Sequence, residues 1–432
     1  MKVNVTSTKL IKPCTPTPQN LNKYKISLTD ELSPPMNVSV ILFYPPNPNP
    51  NPNSTIISQL QESLSKILPQ FYPFAGRYIK KDHSVHCNDE GAEFVVAEAT
   101  DIELVDFIAK VKSHDQLKDL LSRQTGDVDK STDPLLSVQI TNFKCGGLAI
   151  SVTMSHRVSD ASSLETFITA WSDANIINNQ EPIIPSFESP SLFPGINLDY
   201  DVEPTNDIIV VKRLLFNKEA ISSLKSKLRP RNGKGFLSRV RVVSAVIAKA
   251  LIGVDMAKHG KLRDCFILQA VNMRGRTSPP LPKHACGNLL VESITQYIDT
   301  NNTKEVEMQE LVNISGDAID KTVNDCAELL SVDEDRRIKI IMDPITNFVT
   351  SLVSGEVNAV WFSDWSKFGF YEADFGWGNK PVWVGIGNLF CPNFTLLMGN
   401  KEGDGIEAWV YLNQNDVPYF EQDEDMKLFT IS

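Results

Sequence analysis

Residues 37–44 read NVSVILFY, a β-branched and aromatic run with proline on both sides, which predicts a strand. The PPNPNPNPN after it has no hydrophobic anchor and lacks backbone donors at its prolines, so it predicts a solvated loop. At Ser54 the period changes: Ile57, Leu60, Leu64 and Leu68 mark one face of an amphipathic helix that Pro69 ends. Short strands are expected within 78–98. Residues 135–143 and 147–154 read as two more, joined by a tight Cys-Gly-Gly turn. Downstream, Ala161, Leu164, Phe167, Ile168 and Trp171 share one face of a helix with Ser159 or Asp160 as its N-cap.

Residues 176–207 are rich in Pro, Asn and Ser, and no apolar period runs through them. Beyond them IIVVKRLLF restarts a strand pattern. Strands at 265–273, 382–388 and 406–412 then alternate with helices at 217–228, 238–252 and 306–325. This mixed order predicts an α/β chain with two halves of similar size, and no solenoid repeat is visible. The first domain is placed at 1–180, a linker or crossover at 181–207 and the second domain at 208–432.

Composition narrows the classes. A chain of 432 residues with 42% hydrophobic content can bury more than one core. A net charge of −11 argues against a nucleic-acid binder, which needs a basic footprint. The amino terminus lacks an apolar core of signal-peptide length, and no apolar window approaches the ~18 residues of a membrane span. The seven cysteines are scattered and include no CxxC pair, which favours free thiols over disulfides or a metal site. A cytoplasmic protein with no membrane association is the expectation.

Candidate chemistry begins at SVTMSHRVSDA, 151–161, where an alternating strand ends on His156. An imidazole at such a junction titrates near ~6.5 and can take a proton from an alcohol at neutral pH. Asp160, four residues on, either orients that imidazole or caps the helix and holds the junction. In YEADFGWGNKPVWVG, 371–385, Gly376 and Gly378 flank Trp377 and allow a sharp turn, and Asp374 can cap it or pair with an arginine. Arg274 and Arg276 share one side of an extended segment in VNMRGRTSPPLPKHACGN, facing either carboxylates or an anionic ligand. Ser238 is a candidate N-cap for a helix whose start carries Lys234, Arg239 and Arg241, which is a phosphate site or a solvated turn.

Together these segments resemble the plant BAHD acyltransferases. The likeness runs through KLIKPCTPTP, YPFAGR, CNDEG, HRVSD at 156–160, the VNMRGR…PPLP…GN block and DFGWG at 374–378. It implies two similar-sized domains of mixed sheets and helices, a chloramphenicol acetyltransferase-like fold, with a coenzyme A channel between them. His156 matches the family's base: it would deprotonate the acceptor hydroxyl as the oxygen attacks a thioester, without an acyl-enzyme. Asp160 would turn away to pair with an arginine, Arg276 favoured and Arg274 second. Asp374, Gly376, Trp377 and Gly378 would support the channel, and Ser238, Arg239 and Ser244 would meet the coenzyme A phosphates.

The resemblance further implies a monomer with an acyl-CoA co-substrate, a small-molecule alcohol acceptor, no metal and no permanently bound cofactor. Its texture is nearest the branch containing vinorine synthase and deacetylvindoline acetyltransferase, which implies acetyl-CoA and an alkaloid or terpenoid alcohol. An acylsugar acyltransferase using medium- or branched-chain acyl-CoA is the alternative, and a non-catalytic ligand-binding homologue is another. Two departures stand out. Asn379 and Lys380 both precede Pro381, one residue more than usual, and HACGN replaces a YFGN-type segment, which weighs against malonyl transfer to flavonoid glycosides.

Overall fold

The computed structural model of the chain describes residues 1–47, 53–111, 114–176, 181–198, 208–229, 237–298, 306–353, 357–387 and 390–430. They form two compact units. The first comprises Met1–Pro204, Pro282–Leu289 and Phe368–Asn388; the second comprises Thr205–Leu281, Leu290–Lys367 and Leu389–Ser432. This differs from a contiguous division, because the segment carrying 374–378 and the Gly-Asn turn at 287–288 both return to the first unit.

A six-stranded sheet organises the first unit, in the order Asn4–Ile11, Ala92–Ala99, Leu136–Phe143, Leu148–Ser155, Asn37–Tyr44 and Trp383–Gly385. Asn37–Tyr44 lies antiparallel to Leu148–Ser155, with Asn37 opposite Ser155 and Tyr44 opposite Leu148. Every residue of both strands is buried, the alternating polar positions Ser39, Ser151, Thr153 and Ser155 included. The hairpin before 148 closes at Gly146, whose N–H donates to Phe143 O and whose φ of 84° suits glycine.

Helix Asn53–Ile67 buries Ile56, Leu60, Leu64 and Ile67, with Ile57 at the edge of the stripe. Helix Ala161–Asp173 joins it through Trp171, whose Nε1 donates to Ser63 Oγ at 3.0 Å. The Asn-Pro tract at 48–52 lies outside the described residues.

Of the expected linker, 181–198 is built into the first unit. Phe187 meets Tyr24, Tyr72 and Phe74 edge-on, and Leu28 N–H donates to Phe193 O. The buried carboxylate of Glu31 accepts from the N–H groups of Ile196, Asn197 and Leu198 at 2.9–3.1 Å. The backbone here is satisfied by a side chain, which gives no periodic signal in the sequence.

The second unit has its own six-stranded sheet, ordered Leu290–Tyr297, Cys265–Asn272, Asn358–Trp365, Phe394–Gly399, Ile406–Asn413 and Ile209–Phe216. Helix Arg239–His259 supplies much of its core, including Val242, Val246, Ile247 and Leu251. The expected helices appear at Lys218–Lys227, Arg239–His259 and Met308–Glu328, while Glu334–Val353 was not anticipated. None of the seven cysteines is in a disulfide. Among the described residues no helix is long and apolar enough to cross a membrane.

Candidate active site

Strand Leu148–Ser155 ends where its partner begins, and the next residue is still pinned: His156 N–H donates to Met36 O at 2.8 Å. The turn is tightened by Ser159 Oγ, which donates to Ser155 O at 2.8 Å. Arg157 leaves to one side, paired with Asp129 and set over the Tyr78 ring. The His156 carbonyl accepts from Asn288 Nδ2 at 2.6 Å. The main chain on both sides of the imidazole is therefore fixed by bonds that do not involve the ring.

The ring itself is poised. Burial pushes its pKa below the ordinary histidine value, against the opposing pull of the Asp160 charge, the Asn288 side chain and the backbone at His156 and Ser159. At neutral pH the imidazole is uncharged and can accept a proton. Nδ1 is buried without a partner at bonding geometry among the described residues.

Asp160, rather than Ser159, is the N-cap of helix Ala161–Asp173. Its Oδ1 accepts from Ser163 N–H and Ser163 Oγ, both at 2.8 Å. Its Oδ2 accepts from Leu289 N–H at 3.1 Å, and Gly287 N–H donates to Ser163 Oγ at 3.1 Å. The carboxylate is only 5% exposed and ties the helix start to the Gly-Asn turn. Gly287 has a φ of 117°, and a Cβ there would lie 2.6 Å from Ser189 Oγ, so this turn needs glycine.

The 374–378 stretch forms a nest around one carboxylate oxygen. Asp374 Oδ1 accepts from the N–H groups of Gly376, Trp377 and Gly378 at 2.9–3.2 Å. Trp377, 8% exposed, meets Tyr44 edge-on and stacks on Phe375, which is edge-on to Trp171. Tyr44 OH donates to Ala373 O at 2.9 Å. The loop is thus wedged onto the central sheet and the helix that follows His156. Lys380, in the lengthened segment before Pro381, pairs with Glu372.

A substitution tests how tightly the wedge fits. Gly376 combines a φ of 85° with a position where a Cβ would sit 2.7 Å from Asn175 O. Gly376→Ala is expected to cost about 2–4 kcal/mol from backbone strain plus overpacking. Gly378→Ala, with a φ of 73° but open space, should cost only about 1–2 kcal/mol. Equal urea midpoints for the two variants would refute the close-approach argument.

The remaining expected residues lie in the second unit. Arg276 is exposed and donates from Nη1 to Asn272 O at 2.7 Å, and Arg274 bonds Asn272 Oδ1 at its own turn. Ser238 is the N-cap of helix Arg239–His259, accepting from Arg241 N–H at 3.0 Å. Arg239 donates to Gly403 O, and Ser244 is buried along the helix. Lys234 of the same basic stretch lies outside the described residues. Among these residues no cluster of His, Cys, Asp or Glu could hold a metal ion.

Sequence reasoning missed Asp30 and gave Asn288 no role of its own. Asp30 is fully buried and accepts from both Asn288 N–H and Nδ2, at 2.7 and 2.8 Å. One signal was available: Ser27 and Asp30 bond reciprocally as a capping box, a pattern visible as S-x-x-D.

Comparisons with known proteins point to one family. A family model described as the transferase family matches residues 1–427. The chain is 44% identical to pelargonidin 3-O-(6-caffeoylglucoside) 5-O-(6-O-malonylglucoside) 4'''-malonyltransferase of Salvia splendens, over 99% of this chain and 100% of that one. It is 34% identical to deacetylvindoline O-acetyltransferase of Catharanthus roseus, over 98% and 96%. The crystal structure of vinorine synthase superposes with a TM-score of 0.85 at 31% identity, covering 100% of this chain and 99% of that one.

Proposed function

The chain belongs to the BAHD acyltransferases, acyl-CoA-dependent enzymes that acylate alcohols, and from that premise we propose that it transfers a small acyl group to a hydroxyl of a plant specialised metabolite with His156 as general base. The observation that carries this reading is the imidazole at the end of strand Leu148–Ser155, with Nδ1 buried and the residue pinned through its own backbone. In this reading His156 takes the acceptor's proton as the oxygen attacks the thioester carbonyl. The tetrahedral intermediate then expels the coenzyme A thiolate, to which the imidazolium returns the proton. Asp160, Asp374, Gly376, Trp377 and Gly378 act as supports. Ser238, Arg239 and Ser244 are the proposed contacts to the coenzyme A phosphates.

Two donors follow. Acetyl, the expectation from sequence, is supported by the acetyltransferase at 34% identity. Malonyl is favoured by the malonyltransferase at 44%, and the HACGN objection loses force because it rests on one short segment while the identity spans the chain. The same relative favours a sugar hydroxyl on a glycosylated phenolic beside the alkaloid alcohol first expected. The two donors differ in physical kind: a methylene changes selectivity by about 1–3 kcal/mol, whereas the malonyl carboxylate needs a dedicated partner.

The test crosses acetyl-, malonyl-, medium-chain and branched acyl-CoA with anthocyanin glucosides, alkaloid alcohols and sucrose, reading thiol release and product mass. The expected result is turnover with one of the two small donors. Preference for medium-chain donors on sucrose would select the acylsugar reading. Absence of thiol release with every pair would return the chain to ligand binding alone.

A further inference from the structure

Asn288 lies beside His156 and is fully buried. Its amide orientation is not free. Nδ2 donates to Asp30 Oδ1 at 2.8 Å and to His156 O at 2.6 Å, and both of these atoms are acceptors. A flipped amide would set oxygen against oxygen at both contacts, so the NH2 must occupy this side. Asp30 is itself fixed by Ser27, whose N–H and hydroxyl donate to Asp30 Oδ2 at 2.9 and 2.7 Å. The Asn288 carbonyl oxygen is therefore aimed by a buried carboxylate that is anchored in turn.

Two buried atoms in this neighbourhood lack a partner at bonding geometry: Asn288 Oδ1 and His156 Nδ1. They are complementary, since one can only accept and the other can carry a proton. The Asn288 side chain also acts on the imidazole in the direction that favours its protonated form, which is the effect of an acceptor and not of a donor. The backbone at His156 and Ser159 acts in the same sense.

We propose that Asn288 is a positioning residue for His156: its side-chain oxygen accepts the proton carried on Nδ1 and leaves Nε2 bare to receive the acceptor's proton, with Asp30 setting the amide's orientation. The Asp160 oxygens already accept from Ser163 and Leu289. The Gly-Asn turn thus has a use beyond closing a loop. Gly287 provides the bend and Asn288 delivers an amide to the base.

The proposal rests on His156 being the base, so His156→Ala is measured in parallel. Asn288→Ala is expected to lower kcat by about 10–100-fold, short of the ~10²–10⁴-fold worth of a general base, with little change in the KM for acyl-CoA. Loss of an acceptor lowers the imidazole pKa, so the acid limb of kcat/KM should move to lower pH. A purely structural role would reduce the active fraction and leave that limb in place.

Nitrogen-15 histidine NMR of the unmutated protein is independent of whether the variant folds. The His156 signals, assigned by their loss in His156→Ala, should report a proton on Nδ1 and a bare Nε2. A proton on Nε2, or an unmoved acid limb in folded Asn288→Ala, would overturn the positioning role while an inactive His156→Ala keeps the base. Activity in His156→Ala would remove the base reading itself.

Discussion

Replacing His156 by alanine lowers kcat for acyl transfer by about 10²–10⁴-fold or more, the share that a positioned general base supplies, while leaving the fold intact. Both halves of this expectation come from the same geometry. The bonds that hold this residue run through its N–H to Met36 and its carbonyl to Asn288, and alanine keeps both. Single-turnover thiol release measures the first half and a urea titration the second. Substantial turnover in the folded variant would be incompatible with His156 as the base.

The pH dependence has a definite sign. The folded-state pKa of His156 lies below the ordinary, unfolded value of ~6.5 because burial disfavours the charged ring. The unfolded chain therefore binds the proton more readily. Native stability from this group is intact above about pH 6.5 and declines as pH falls toward the depressed folded value. The rate should hold through neutrality and fail on an acid limb below the usual histidine range. His156→Ala should lose less stability on acidification than the parent protein.

Asp160→Ala is expected to have the largest effect on stability, about 3–5 kcal/mol, combining a lost N-cap with buried donors left unpaired at Ser163 and Leu289. Against a typical reserve of about 5–15 kcal/mol, this should appear first as poor soluble yield. Asp160→Asn keeps one acceptor oxygen and turns an NH2 toward an N–H, so an intermediate loss of about 1–3 kcal/mol is expected. Thermal melting of the two variants checks the order. An Asp160→Asn protein with unchanged melting and no activity would mean that the carboxylate serves the imidazole directly rather than the junction.

The legible parts of the chain were those whose periodicity is local. Asn37–Tyr44 and Ala161–Asp173 stand where their patterns put them, because a buried strand and a one-faced helix leave short-range signatures. Helix Glu334–Val353 was hidden by Pro344 within it, a residue that ordinarily argues for a break. The strand Leu290–Tyr297 mixes inward and half-buried positions, so no clean alternation announced it. At the site, His156 and Asp160 were visible as a pattern, but the targets of the Asp160 oxygens were not. A backbone N–H such as that of Leu289 looks the same in any sequence, and only the fold brings it 129 positions back to the carboxylate.

The two returns of the chain into the first unit bear on how such enzymes can be recombined. A chimera spliced in the 199–207 stretch would appear to exchange one half cleanly for another. It would in fact bring foreign versions of 282–289 and 368–388 with the donated half. The imported Gly-Asn turn would have to satisfy a resident Asp30 and Asp160, and the imported tryptophan wedge a resident Tyr44 and Asn175. Parents that differ at these four contacts should yield inert hybrids whatever their acceptors. A productive exchange needs five junctions, one near 204/205 and one on each side of the two inserts, which then travel with the amino-terminal parent.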